Sequence, residues 1–215
     1  IKEFNPNKII LFNGRISSAT PAILLCEKYN IPYETYEVAG NQGKYLIREN
    51  STPHSIPEAK KEIETLWNNG SSSKEEEAHA WFQERRKGVD QGIVSFTKNQ
   101  KAGLLPDSFD TSKRNIVFFN STIEEYAAIE GWENNLYTPD ETAGVKDVLE
   151  SFLDNPEFHF YLRVHPHMKH TPFSKNSQLQ DIKKLSEEYR NLTVIWPEDI
   201  IHSYALIDAC EKTIT

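Results

Sequence analysis

The chain has 215 residues, enough for one large domain or two small ones, and its 38% hydrophobic and 11% aromatic content supplies a real core. A formal charge of −8 argues against a general nucleic-acid binder, which carries a basic face, while leaving room for local basic pockets. No apolar run approaches the roughly 20 residues of a membrane-spanning helix, and no secretory signal is visible, so cytoplasm is the default location.

Ile1 is not a natural start, so the sequence reads as beginning inside a longer protein. The KIILF run at 8–12 reads as a buried strand. Asn13-Gly14-Arg15 makes a turn, and Thr20-Pro21 reads as an N-cap followed by proline at the first helical position. That helix runs to about Tyr29, and YETYEV at 33–38 is the next strand, which completes a βαβ unit. Gly14 can let a ligand approach the backbone closely; a plain tight turn is an equal reading. The polar stretch 41–57, broken by Gly43, Pro53 and Pro57, reads as a loop. Its Lys44, Arg48 and His54 either meet an anionic ligand or are ordinary solvated charges.

Helices follow at 57–67 and 73–87, the second opened by Ser73-Lys74-Glu75-Glu76 in capping-box register. The acidic run Glu75, Glu76, Glu77 suits the positive end of that helix. The stretch 95–113 lacks periodicity and holds Gly103 and Pro106, so the domain boundary is expected there, giving domains 1–113 (with a helical insert) and 114–215. Cys26 and Cys210 lie in helix-like apolar patterns and read as buried thiols, not as a disulfide or a nucleophile.

Strand-helix alternation restarts with NIVFF at 115–119. Ser121 and Glu124 then stand in capping-box register at a strand-to-helix turn, where free amides favour a phosphate, although capping alone accounts for Ser121. Glu124 and Glu125 are adjacent carboxylates, read either as catalytic or as helix-start charges. A helix at about 138–154 leads to FHFYLRVHP at 158–166, a strand that Pro166 stops with His165 at its carboxyl end. Arg163 and His165 are two apart and share one strand face. In parallel sheets ligands bind beyond the carboxyl ends of the strands, so the pair stands where a phosphorylated ligand is expected. The plainer alternative is a strand terminator and a partner for a helix carboxylate. His159, His165, His167 and His170 do not read as a metal site, because no Cys or carboxylate sits at ligand spacing and Pro166 breaks any shared face. A helix at 177–189, a strand at 192–196, a helix at 200–210 and a strand from 212 complete the chain. That last strand lacks a following crossover, so truncation is expected there too. The fold class is α/β: two Rossmann-like lobes with parallel sheets flanked by helices.

Four segments, SFTKNQKAGLLP (95–106), NIVFFNSTIEEYAAI (115–129), YLRVHP (161–166) and VIWPEDIIHSYALIDAC (194–210), in that order and spacing, carry a resemblance. The chain resembles the bacterial capsule polysaccharide biosynthesis proteins, glycosyltransferases of GT-B arrangement similar to those using CMP-activated Kdo or sialic acid. The resemblance implies a nucleotide-sugar donor held by the second domain, without a metal or other cofactor, and a glycan or lipid-linked glycan acceptor held by the first. It implies a cytoplasmic enzyme, with possible contact to capsule assembly machinery at the inner membrane. A His-Pro pair contacts the donor phosphate in such enzymes, which assigns that role to His165 with Pro166. Position alone adds Arg163, Ser121 and Thr122 to the phosphate side and Ser203 and Tyr204 to the nucleotide side, although Tyr204 and Asp208, at i and i+4, equally read as a pair with each other or with core neighbours. A protonated His165 would then stabilise the departing nucleotide. Glu124 and Glu125 are the candidates for the base, and Gly14, Arg15, Lys44 and Arg48 for the acceptor side. A Phe-Gly-Ser-Thr-like segment normally follows the last helix; its absence before Thr215 implies that this stretch of chain does not turn over. Two rival classes stay open: a sugar-nucleotide epimerase-like GT-B enzyme binding a uridine nucleotide, and a non-catalytic subunit of a capsule assembly complex.

Overall fold

The computed structural model describes residues 6–38, 43–89, 96–122, 125, 129, 137 and 141–215. They fall into two compact units, one comprising 6–38, 43–89 and 129, the other 96–122, 125, 137 and 141–215.

The first unit runs β1 (Ile9–Phe12), α1 (Thr20–Tyr29), β2 (Tyr33–Val38), β3 (Tyr45–Glu49), α2 (Ile56–Asn69) and α3 (Lys74–Arg86). β1 and β2 pair in parallel around α1, as the βαβ reading requires. The helix lays Ile23 and Cys26 on Tyr33, with Ile9 and Leu11 beside them. The stretch expected to be a loop contains β3, which pairs antiparallel with β2, so this sheet is mixed and not purely parallel. Its five residues alternate exposed and half-buried, as an edge strand does, and the Gly43, Pro53 and Pro57 around it are what had read as loop. The helix boundary also differs. Ala19, not Thr20, is the N-cap of α1, and the Thr20 hydroxyl donates instead to the carbonyls of Gly14 and Ile16. Likewise Ser73 caps no amide of α3; its hydroxyl donates to Glu77.

The second unit runs β4 (Arg114–Phe119), α4 (Glu141–Ser151), β5 (Phe158–Arg163), short 3-10 turns at Pro166–His170 and Phe173–Lys175, α5 (Ser177–Glu188), β6 (Leu192–Ile195), α6 (Ser203–Ala209) and β7 (Lys212–Ile214). All four strands are parallel in the order β6-β5-β4-β7. Numbered within the unit this is 3-2-1-4, the order at the centre of a Rossmann-like sheet, with its direction reversing between β4 and β7. Strand parity sorts the core into two layers. Ile116, Phe118, Phe160 and Leu162 meet Leu149 of α4 and Ile182 and Leu185 of α5 on one face. Val117, Tyr161 and Ile195 meet Leu206 of α6 on the other, where Phe109 stacks on Tyr161 at 5.0 Å. Phe160, Leu149 and Leu206 are fully buried, each contributing about 2 kcal/mol of apolar transfer.

Both cysteines are unpaired; burial raises the Cys26 thiol and pushes Cys210 up to about 11, so neither is a ready thiolate. Among the described residues no helix is long and apolar enough to cross a membrane.

Candidate functional site

β4 and β5 are neighbours and end at one rim. Beyond β4 the chain turns through Asn120, Ser121 and Thr122; beyond β5 it continues through Val164 to His165. The buried Asn120 joins the two turns. Its Oδ1 accepts the backbone N–H of His165 at 3.0 Å, while Nδ2 donates to the Ser121 carbonyl at 3.0 Å and to Met168 Sδ at 3.4 Å.

His165 lies two residues past the end of β5 and caps the 3-10 turn, with Pro166 at its start. Its Nδ1 accepts the N–H of His167 at 3.2 Å. With Nδ1 an acceptor, the proton of the neutral ring sits on Nε2. Nε2 faces Glu125 Oε1 at 3.5 Å, and the ring meets Phe96 edge-on at 5.1 Å. Burial pushes the His165 pKa below its ordinary 6.5; the Glu125 carboxylate opposes that shift and His167 adds to it. The shift favours the neutral imidazole in the free protein. Pro166, without an N–H, sets the turn and donates nothing.

Two N–H groups at the rim already hold carboxylates. Ser121 N–H donates to Glu141 Oε1 at 2.8 Å, and Thr122 N–H to Glu125 Oε2 at 3.2 Å. Gln178, 2% exposed in the first turn of α5, donates to the Ser121 carbonyl at 3.1 Å and to Glu141 Oε1 at 3.3 Å. The rim thus accepts anions, and an incoming one must displace Glu125 or Glu141. Glu124, and with it the Ser121–Glu124 capping register, lies outside the described residues.

Arg163 does not reach this rim. It is 3% exposed on the α6 face, where Nη1 donates to the Trp196 carbonyl at 2.8 Å and Nη2 to the Asp199 carbonyl at 3.2 Å. The Asp199 carboxylate takes the Trp196 N–H at 2.7 Å, so the turn closes on itself and its carbonyls are left for the guanidinium. Ser203 is equally engaged: its N–H donates to Gln100 Oε1 at 2.8 Å and its Oγ accepts from Gln100 Nε2 at 3.1 Å. The Tyr204 ring stands 5.8 Å from that of His202. His159 exchanges a hydrogen bond with Thr193 at 2.8 Å, and the described residues contain no His, Cys, Asp or Glu group able to hold a metal.

The corresponding rim of the first unit is built differently. Gly14 has φ +86°, and an added Cβ would come within 3.0 Å of Ile23 Cδ1 and 3.1 Å of Thr35 and Thr52 methyls. The side on which a Cβ would stand is filled by protein side chains, so packing as well as the positive φ calls for glycine here. Arg15 donates its backbone N–H to Asn13 Oδ1 at 3.2 Å. Arg48 sits mid-strand opposite Thr35 and pairs with Glu62 at 2.7 Å, which withdraws it from an anionic acceptor. Lys44 is exposed just before β3, beside the carboxyl end of β2. At His54, burial and the Arg15 charge push the pKa down, against Glu37.

Sequence reasoning missed Asn120, Gln178, Glu141, His167 and Phe96. Asn120 had a signal, a small amide directly after an apolar strand; the others are joined to the rim by tertiary contacts alone. Neither protein-family models, nor curated proteins, nor solved structures give a match to the chain.

Proposed function

We propose that the chain is a GT-B-type glycosyltransferase of surface-polysaccharide synthesis, and that its second unit holds the nucleotide-sugar donor at the rim beyond β4 and β5. The observation that carries the reading is His165: clamped by Asn120 and His167, its Nε2–H is aimed at an anion, Glu125, at the carboxyl end of the parallel sheet. The four-segment resemblance supplies the chemistry of that anion, a nucleotide phosphate.

In this reading the donor phosphate displaces the Glu125 carboxylate from Thr122 N–H and from His165. An anionic phosphate hydrogen-bonded at Nε2 favours the imidazolium, so donor binding draws a proton onto His165, and the second negative charge that appears as the nucleotide leaves strengthens the pair. An acceptor hydroxyl attacks the anomeric carbon, the bond from that carbon to the phosphate oxygen breaks, and the nucleotide leaves with His165 stabilising its new charge. The hydroxyl proton passes to Glu125, a carboxylate 41% exposed in its side chain and released when the phosphate takes its place. The first unit takes the acceptor, with Arg15 and Lys44 as its contacts.

Isothermal titration with CMP, UDP and CMP-Kdo tests the reading. We expect CMP-type ligands to bind, and His165→Ala to raise Kd at least about tenfold, the scale of one lost hydrogen bond to a charged group. Unchanged affinity in a folded His165→Ala variant would remove His165 from the site. Binding of UDP in preference to CMP would favour an epimerase-like enzyme instead.

A further inference from the structure

Residues 96–106 belong to the aperiodic stretch where the sequence places the domain boundary, yet their main chain is fastened to the turn leading into α6 (Ser203–Ala209). Lys101 N–H donates to the Ile200 carbonyl at 2.8 Å, and His202 N–H to the Leu104 carbonyl at 2.9 Å. Gly103 N–H donates to His202 Nδ1 at 3.2 Å. Gln100 completes the join. Its Oε1 accepts the Ser203 N–H at 2.8 Å. The first N–H groups of a helix have no partner within it, and His202, the N-cap of α6, makes no side-chain cap, so Gln100 caps α6 from outside. The Gln100 amide nitrogen carries two N–H groups. It lies 3.1 Å from Ser203 Oγ and 3.4 Å from the Phe96 carbonyl oxygen, and donates to both. Gln100 N–H closes the same turn on the Thr97 carbonyl at 3.0 Å. The Phe96 ring, carried at the start of that turn, meets His165 edge-on at 5.1 Å, an arrangement that ring quadrupoles favour.

Three of the four segments that carry the resemblance, 95–106, 161–166 and 194–210, thus meet through one side chain. We propose that Gln100 is a positioning residue for His165: acting through Phe96, it holds the imidazole in the orientation that aims Nε2 at the anion position taken by Glu125. The His167 N–H fixes Nδ1, and Phe96 packs against the ring, so the two contacts together set how the ring is turned. The use of that orientation, contact with a donor phosphate, rests on the reading above; the positioning itself does not.

Gln100→Glu separates this role from capping. The carboxylate still accepts the Ser203 N–H and hydroxyl, so α6 keeps its cap, but it has no N–H for the Phe96 carbonyl. Proton NMR of the His165 imidazole reads the result in the free protein, because a phenyl ring this close shifts the imidazole C–H resonances. Phe96→Leu keeps the apolar bulk and gives their position without the phenyl ring. In Gln100→Glu the resonances should move from the wild-type values toward those of Phe96→Leu. Leu206 N–H, bonded to the His202 carbonyl at 3.1 Å, should keep its protection from exchange. CMP should bind roughly two- to tenfold more weakly, the scale of one neutral hydrogen bond. If Gln100→Glu frays α6, Ser203→Ala is the comparison: it removes one Gln100 partner at α6 and leaves Phe96 bonded, so His165 should not move. His165 resonances at wild-type values in Gln100→Glu, or moved equally by Ser203→Ala, would reduce Gln100 to a cap and overturn the proposal. Resonances that move while CMP affinity stays unchanged, or while CMP fails to bind even the wild type, would keep the positioning and count against the donor-site reading instead.

Discussion

β1 and β4 each run into an asparagine, Asn13 and Asn120, and each asparagine is buried at the carboxyl end of its sheet. Asn13 takes φ +62°, donates to Glu37 Oε2 at 2.6 Å and accepts the N–H of Arg15, after which Gly14 is packed on three side chains. That turn is closed on its own unit. Asn120 instead reaches across to β5 and fixes the backbone of His165, leaving an imidazole N–H and two main-chain N–H groups aimed at exchangeable carboxylates. The difference lies in what each amide holds: a neighbour's carboxylate fills a turn, whereas a neighbour's backbone presents that neighbour's side chain. A strand-Asn-turn pattern therefore locates a rim without saying whether the rim is open.

The largest effect should come from closing the contrast at Gly14. Gly14→Ala combines a positive φ, costing about 1–2 kcal/mol, with overpacking against Ile23, Thr35 and Thr52, costing about 1–3 kcal/mol. Hydrogen exchange should show β1 and β2 losing protection while nucleotide affinity stays unchanged. Lost affinity with retained protection would instead make Gly14 a ligand contact. Asn120→Ala should cost about 2 kcal/mol, because the part-buried His165 N–H loses its acceptor. It should also weaken nucleotide binding, whereas Asn13→Ala should lower stability and spare binding. Equal effects of the two on affinity would break the comparison. The smallest effect belongs to Glu125→Gln, which removes a half-exposed competing charge. Nucleotide should then bind roughly 2–5-fold more tightly, since exposed ion pairs contribute about 0.2–1 kcal/mol, while turnover, if Glu125 takes the acceptor proton, should fall. Weaker binding would contradict displacement of the carboxylate.

Much of the second unit was legible because β4 and β5 are buried on both faces and read as nearly unbroken apolar runs, with Pro166 marking where β5 must yield. β3 was not, since Tyr45 to Glu49 is a five-residue edge strand enclosed by Gly43, Pro53 and Pro57, whose turn signals outweigh so short a run. Arg163 shows a different limit. Parity gave its face correctly, but only the pairing of Arg163 with Ile195 shows that the guanidinium lies beneath the Trp196–Asp199 turn. At the rim, the place of His165 was legible from its proline, whereas the direction of its pKa shift was not, because that depends on burial and on the charges of Glu125 and His167. Gln178 and Glu141 come from helices 57 and 20 residues from Ser121, and no local pattern links them.

The most direct test is the titration of the His165 imidazole by NMR, without and with saturating CMP. Free, its folded pKa lies below the unfolded 6.5. Between those values the unfolded chain binds more protons, so His165 stabilises the fold above pH 6.5 and that contribution is lost as pH falls through the folded pKa. A phosphate displacing Glu125 at Nε2 should raise the pKa above its free value, with proton uptake on binding near pH 7. A His165 titration unmoved by saturating nucleotide would contradict the account, whatever else the nucleotide does.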